Sequence, residues 1–222
     1  MSIEQIGLEA KLVEQTPNFL IPSAIVFDLG GVLLDWNPRH LYRQLFNDKA
    51  SMEQFLASVC TPAWNDAQDA GRPLAEATAQ LVAEHPAHAA YIEAYYNRVD
   101  EMFGGPVQGT VAILEELRAS GRYSLYALTN SSAETFPHAL RLFPFLDWFD
   151  GIVISGEEKT RKPFPEIYQI LLCRYGLEAR RTVFIDDNPT NVKAAIAQGL
   201  LGIHFRSPEQ LRTDLKTYGV LK

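Results

Sequence analysis

The chain has 222 residues, enough to bury a sizeable core, and its 47% hydrophobic and 21% charged content is that of an ordinary globular protein. Lys and Arg number 20 against 27 Asp and Glu, a formal net charge of -7, which argues against a nucleic-acid backbone as partner because that needs a concentrated basic face. No apolar run reaches the roughly eighteen residues of a membrane span, no signal-like segment leads the chain, and Cys60 and Cys173 lack metal-ligand spacing, so the expectation is a cytoplasmic protein with free thiols.

Residues 1–21 read as an N-terminal extension in which Ile3, Ile6, Leu8 and Leu12 have the spacing of a short amphipathic helix before Pro17. From Ala24 to Phe27 a continuous apolar run predicts a buried strand, and it ends in Asp28. The pair Gly30-Gly31 then allows a sharp turn with positive φ, which leaves a carboxylate at the C-terminal edge of a strand. In open parallel sheets that edge is where ligands bind.

After Trp36 the pattern turns helical. One helix starts at Pro38, a second covers Ser51 to Cys60 and is stopped by Thr61-Pro62, a third covers Pro73 to His85 and a fourth Ala87 to Phe103. Residues 38–103 are thus expected to form a four-helix unit set between two α/β stretches, 22–37 and 104–222. From Val107 helices and strands alternate: helix Gln108–Ala119, strand Tyr123–Leu128, helix Ala133–Leu142, strand Gly151–Ser155, helix Pro165–Tyr175, strand Thr182–Ile185, a helix from Asn188 or Pro189 to Gln198, and strand Leu201–Phe205. That alternation predicts an α/β fold, a Rossmann-like doubly wound parallel sheet with helices on both faces.

Polar residues collect at four strand ends: Asp28, Thr129 with Asn130, Lys162 in the loop after the third, and Asp186-Asp187. Carboxylates brought together ionise only at a cost unless a cation sits among them, and oxygen donors without His or Cys favour Mg²⁺. A metal ion, a lysine and a hydroxyl around one carboxylate suit phosphoryl transfer, where charge must be neutralised from several sides.

On these residues the chain resembles the haloacid dehalogenase-like hydrolase superfamily. Phe27-Asp28-Leu29-Gly30-Gly31-Val32-Leu33 looks like its first motif, Leu128-Thr129-Asn130 its second, Arg161-Lys162-Pro163 with Tyr168 its third, and Phe184-Ile185-Asp186-Asp187-Asn188 with Asn191 its fourth. The helical stretch lies where that family carries a helical cap of the C1 type. The resemblance implies a phosphatase acting on a small phosphorylated metabolite. Asp28 would be the nucleophile that forms an aspartyl-phosphate. Mg²⁺ would be held by Asp28, the Gly30 carbonyl and Asp187, with Asp186 acting directly, through water or through Lys162. Thr129 and Asn130 would bind phosphoryl oxygens, Lys162 (or Lys159, if the loop is read three residues earlier) would neutralise charge, and Asn191 would orient the acidic loop.

One departure stands out. Phosphatases of this family usually carry a second Asp two residues after the nucleophile as general acid and base, and here that position is Gly30. Acid-base help is worth about 10²–10⁴ in rate, so its loss points to substrates whose leaving group needs little protonation, such as anomeric sugar phosphates or acyl phosphates. A subgroup with Gly at this position, which includes sugar-1-phosphate phosphatases, is the nearest resemblance. His40, His85 and His88 are alternative proton sources from the helical region, and the turn Asp69-Ala70-Gly71-Arg72, with Trp64 and Gln68 before it, is a candidate for substrate contact through Arg72. A metal-independent 2-haloacid dehalogenase and a phosphate-binding protein with little turnover are the competing readings.

Overall fold

The computed structural model describes residues 21–222. The elements run β1 (Ala24–Phe27), β2 (Leu34–Trp36), α1 (Pro38–Leu45), α2 (Lys49–Ser58), α3 (Pro62–Asp69), α4 (Leu74–Glu84), α5 (Ala89–Asn97) and β3 (Phe103–Pro106). They continue with α6 (Gln108–Ser120), β4 (Ser124–Thr129), α7 (Phe136–Leu142), β5 (Gly151–Ile154), α8 (Ser155–Glu158), α9 (Pro165–Tyr175), β6 (Thr182–Asp186), α10 (Pro189–Ala197), β7 (Leu201–His204) and α11 (Pro208–Thr217). The main sheet has the order β5-β4-β1-β6-β7, and every pairing in it is parallel.

β1 lies at the centre, and all four of its residues are buried. Its apolar run is continuous rather than alternating because helices cover both faces of the sheet. One core cluster contains Ile25, Phe27, Leu114 and Ile185, and another contains Val26, Leu128, Ile167 and Phe184. The register fixes the chemistry: Phe27 stands between Ala127 and Ile185, so Asp28, one residue on, is level with Leu128 and Asp186 at the ends of both neighbouring strands.

Helices α1 to α5 form an insertion with its own core, centred on Leu41, Tyr42, Met52, Phe55 and Ile92. It leaves and rejoins the sheet through an antiparallel ribbon of β2 and β3, in which Trp36 pairs with Phe103. The insertion holds five α-helices where the apolar spacing predicts four. α2 has ended before Thr61-Pro62, as expected, and the pair also starts α3: Thr61 accepts a hydrogen bond from the Trp64 N–H at 3.1 Å, and Pro62 fills the first helical position, where its missing donor costs nothing. The ribbon and α11 are likewise additions to the expected elements. Of the Gly30-Gly31 pair only Gly31 has a positive φ, 74°. α7 begins at Phe136 rather than Ala133. The proposed helix through Ile3 and Leu12 lies outside the described residues. Among those described, no helix is long and apolar enough to cross a membrane.

Candidate active site

The strand ends bring Asp28, Lys162 and Asp186 into one buried group. The Lys162 ammonium lies 2.8 Å from Asp28 Oδ1 and 2.8 Å from Asp186 Oδ2, and it donates to the Leu128 carbonyl at 2.9 Å. Its three donors are therefore used, and the side chain is 1% exposed. Asp28 Oδ1 also accepts the Leu29 N–H at 2.7 Å; among the described residues no group hydrogen-bonds its Oδ2. Asp186 accepts from Lys162, from the Asn188 N–H at 2.8 Å and from Asn191 Nδ2, 3.1 Å from each of its oxygens. The protein thus occupies both oxygens of Asp186 and leaves it to hold Lys162. The loop carrying Lys162 is fixed from β4: the Asn130 side chain donates to the Lys162 carbonyl at 3.0 Å and accepts from its N–H at 2.9 Å. That leaves the backbone N–H of Asn130, rather than its side-chain amide, as the group to offer an anion.

Ligand atoms of Asp28, Asp186 and Asp187 lie within 4.8 Å of one another. One lysine cannot neutralise three carboxylates, and the residues respond accordingly. Burial pushes the Asp28 carboxyl up to about 8; Lys162 pulls it down, while Asp186 and Asp187 add to the rise. Burial lowers Lys162, but the two aspartates outweigh it and hold the ammonium above its ordinary value. Burial and Asp186 also raise Asp187. A donor set of hard oxygens with uncompensated negative charge fits a divalent cation. Gly31 is part of the fit: a Cβ there would fall 2.3 Å from Asp187 Oδ2.

A cavity of about 100 Å³ adjoins this group, reaching it at Gly30, Thr129, Asn130 and Ser131. Its far wall is apolar, from Leu34, Trp36, Val99, Phe103, Phe136 and Ala139, and the insertion closes it with Asn65, Asp69, Tyr95 and Tyr96. The insertion is tied down by Asp66–Arg161 at 3.0 Å, by the Leu74 N–H to Glu134 at 2.9 Å, and by Asp100 to His138 at 2.6 Å and to Arg141.

Several candidates from the sequence stand elsewhere. Arg72 points to Gln80 at 2.6 Å and Glu76 at 3.7 Å, outside the cavity lining. Trp64 packs against Tyr95 and Tyr96, and fully buried Gln68 donates to the Trp64 carbonyl and the Tyr96 hydroxyl, so both support the wall from behind. Lys159 caps α8 and touches the Gly71 turn instead of the acid cluster. His40 pairs with Asp35 at 3.0 Å, His85 ends α4, and His88 meets the edge of Phe55; none lines the cavity. Sequence reasoning picked the turn after α3 for Arg72 and passed over Asp69 at its start. Burial and Asp66 push the Asp69 carboxyl up to about 7, against the opposing pull of Arg161, the Ser132 N–H and Lys162.

A family model, haloacid dehalogenase-like hydrolase, matches residues 22–199, most of the chain and all of the strand-end residues above. The chain belongs to the haloacid dehalogenase-like hydrolases. Within that family it is 30% identical over 82% of its length to a sesquiterpene phosphatase of Aspergillus oryzae, of which it covers 89%. It is 24% identical over 82% of its length to a phosphorylated carbohydrates phosphatase of Thermotoga maritima, of which it covers 84%. This haloacid dehalogenase-like hydrolase stands in the phosphatase branch. Its fold is also that of a family enzyme from Bacteroides thetaiotaomicron solved with magnesium and inorganic phosphate, at TM-score 0.65 and 19% identity over 84% of this chain and 95% of that one.

Proposed function

We propose that this chain is a Mg²⁺-dependent phosphatase of small phosphorylated metabolites, a phosphoric monoester hydrolase that works through an aspartyl-phosphate on Asp28. The observation that carries the reading is the asymmetry of Asp28: Oδ1 is held by Lys162 and the Leu29 N–H, and among the described residues Oδ2 has no partner. An oxygen fixed by its neighbour and itself unengaged is what in-line attack on phosphorus requires. Mg²⁺, held by Asp28, Asp187 and the Gly30 carbonyl, supplies positive charge against the phosphoryl oxygens when bound. Thr129 and the Asn130 N–H bind those oxygens, Lys162 lowers the cost of ionising Asp28 beside an anionic substrate, and Asp186 with Asn191 holds Lys162 in place. Residues 38–103 act as the cap that closes over the substrate.

The alcohol we assign is one with an apolar body. Six apolar side chains form the far wall, and the name of the Aspergillus oryzae relative fits such a substrate. The cavity, about 100 Å³, is smaller than the ~150 Å³ void that admits a benzene ring but opens to solvent, so a large alcohol extends out through its mouth or displaces the cap. A sugar 1-phosphate remains the second reading, favoured by Gly30. Metal-independent dehalogenation is disfavoured by Asp187, for which it has no use, and a phosphate-binding protein without turnover by the open oxygen of Asp28. The test is Mg²⁺-dependent phosphate release from prenyl and aryl phosphates, flavin mononucleotide, sugar 1-phosphates and acyl phosphates, with Asp28→Asn as control. Release concentrated on apolar phosphates and abolished in the control supports the assignment. Release from sugar 1-phosphates alone moves it to the second reading, and no release from any member refutes turnover.

A further inference from the structure

We propose that Asp69, carried by the helical insertion, is the acid and base that the position of Gly30 does not provide; this rests on the phosphatase reading. Asp69 ends α3 and lines, from the insertion, the same cavity that Gly30, Thr129 and Asn130 line from the core. One hydrogen bond holds it, from Asn65 Nδ2 to its Oδ2 at 2.9 Å, and the Ser132 N–H, in the loop after Thr129, lies near enough to pull its carboxyl down. Because the insertion carries it, this carboxyl stands beside the phosphate-binding loop only while the insertion packs on the core, as the Asp66–Arg161 pair and the Leu74 N–H to Glu134 bond hold it here.

Its surroundings select it over the alternatives. Tyr95 and Tyr96 share the cavity, but burial raises both phenols well beyond ordinary values, so neither gives up and regains a proton near neutrality. Asp66 is paired with Arg161. Asp69 faces Asp66 from its own helix, Tyr95 and Tyr96 from α5, and Arg161 and Lys162 from the loop after α8. The balance leaves its carboxyl near 7, where an acid both donates and accepts.

The proton balance closes over two steps. In the first, Asp28 Oδ2 bonds to phosphorus as the bond to the substrate oxygen breaks, and neutral Asp69 gives its proton to that oxygen, releasing the alcohol. In the second, water attacks phosphorus, the Asp69 carboxylate takes a proton from it, and the bond to Asp28 breaks. Phosphate leaves, with Asp28 ionised and Asp69 neutral again.

The experiment compares benzyl phosphate, whose alcohol needs a proton to leave, with p-nitrophenyl phosphate, whose phenolate does not. In Asp69→Asn, kcat/KM for benzyl phosphate is expected to fall by about 10²–10⁴, while the burst of nitrophenol stays within about threefold of wild type. The wild-type kcat/KM for benzyl phosphate should decline as pH rises through about 7, because the donor must be protonated, and this limb should vanish in the variant. Asp69→Glu, which keeps an acid, should recover at least about tenfold of the benzyl loss. Equal losses on both substrates, or none on either, in variants that unfold like wild type would overturn the assignment and leave Asp69 as a closing contact. A wild-type protein inactive on both substrates would instead overturn the phosphatase reading itself.

Discussion

Among the described residues Lys162 is the one cation buried beside this cluster of carboxylates, and its replacement tests the site at the level of a single charge. Lys162→Met leaves Asp28 and Asp186 without their partner, and breaking such a buried pair costs about 3–5 kcal/mol. We expect urea unfolding to show that loss together with the disappearance of phosphatase activity; retention of either would mean that the ammonium does not neutralise the site. The two glycines after Asp28 make a paired contrast. Gly31 has φ 74° and no room beside Asp187, whereas a Cβ at Gly30 meets nothing within 4 Å. Gly31→Ala should therefore raise the Mg²⁺ concentration for half-maximal activity by about 10–100-fold, and Gly30→Ala should leave it near wild type. Equal effects from the two would remove Asp187 from the metal site. Much at this scale was legible in the sequence, because apolar strands buried on both faces leave their first polar residue at the sheet edge, as at Asp28, Thr129 and Asp186. Asp69 was not legible: a lone acid at a helix end looks solvated until the fold shows what closes over it.

The elements carry a different kind of information. α3 and its turn set where Asp69 stands, and the turn is pressed against the core. Gly71 has φ 95°, and a Cβ there would lie 3.0 Å from the Gly156 carbonyl and 3.1 Å from the Lys159 side chain. Gly71→Ala combines backbone strain of about 1–3 kcal/mol with a tight contact, and both are relieved by lifting the turn away from α8. The expected result is a fall in kcat/KM of roughly tenfold with the Mg²⁺ requirement unchanged, since the metal-binding residues lie on other elements. A changed Mg²⁺ requirement with unaltered kcat/KM would contradict this division of labour. The sequence pattern foresaw the long elements and misread short ones. Three residues of β2 and the Gly104-Gly105-Pro106 of β3 have too little periodicity to register, and Thr61-Pro62 reads as a stop or a start depending on whether an amphipathic run is seen to follow.

For the whole molecule, the decisive property is that three carboxylates converge only when the chain folds. A divalent cation that binds this arrangement binds the folded state alone, and at about a hundredfold excess over its Kd it stabilises the fold by about 2.7 kcal/mol. The pH dependence has a definite sign. Asp28 ionises ordinarily at 3.8, and in the fold burial moves it to about 8. Between those values the folded protein without metal keeps a proton that the unfolded chain has released, so its stability falls as pH rises from about 4 to about 8. A bound cation takes over the role of that proton, and its advantage grows over the same window. The rise in Tm on adding Mg²⁺ should therefore be larger at pH 8 than at pH 6, and Asp28→Asn, which has no carboxyl to titrate, should flatten the difference. Thermal unfolding at the two pH values, with Mg²⁺ and with chelator, measures both. A rise in Tm independent of pH would mean that the cation does not compete with the Asp28 proton, and no rise at all would mean that these carboxylates hold no metal.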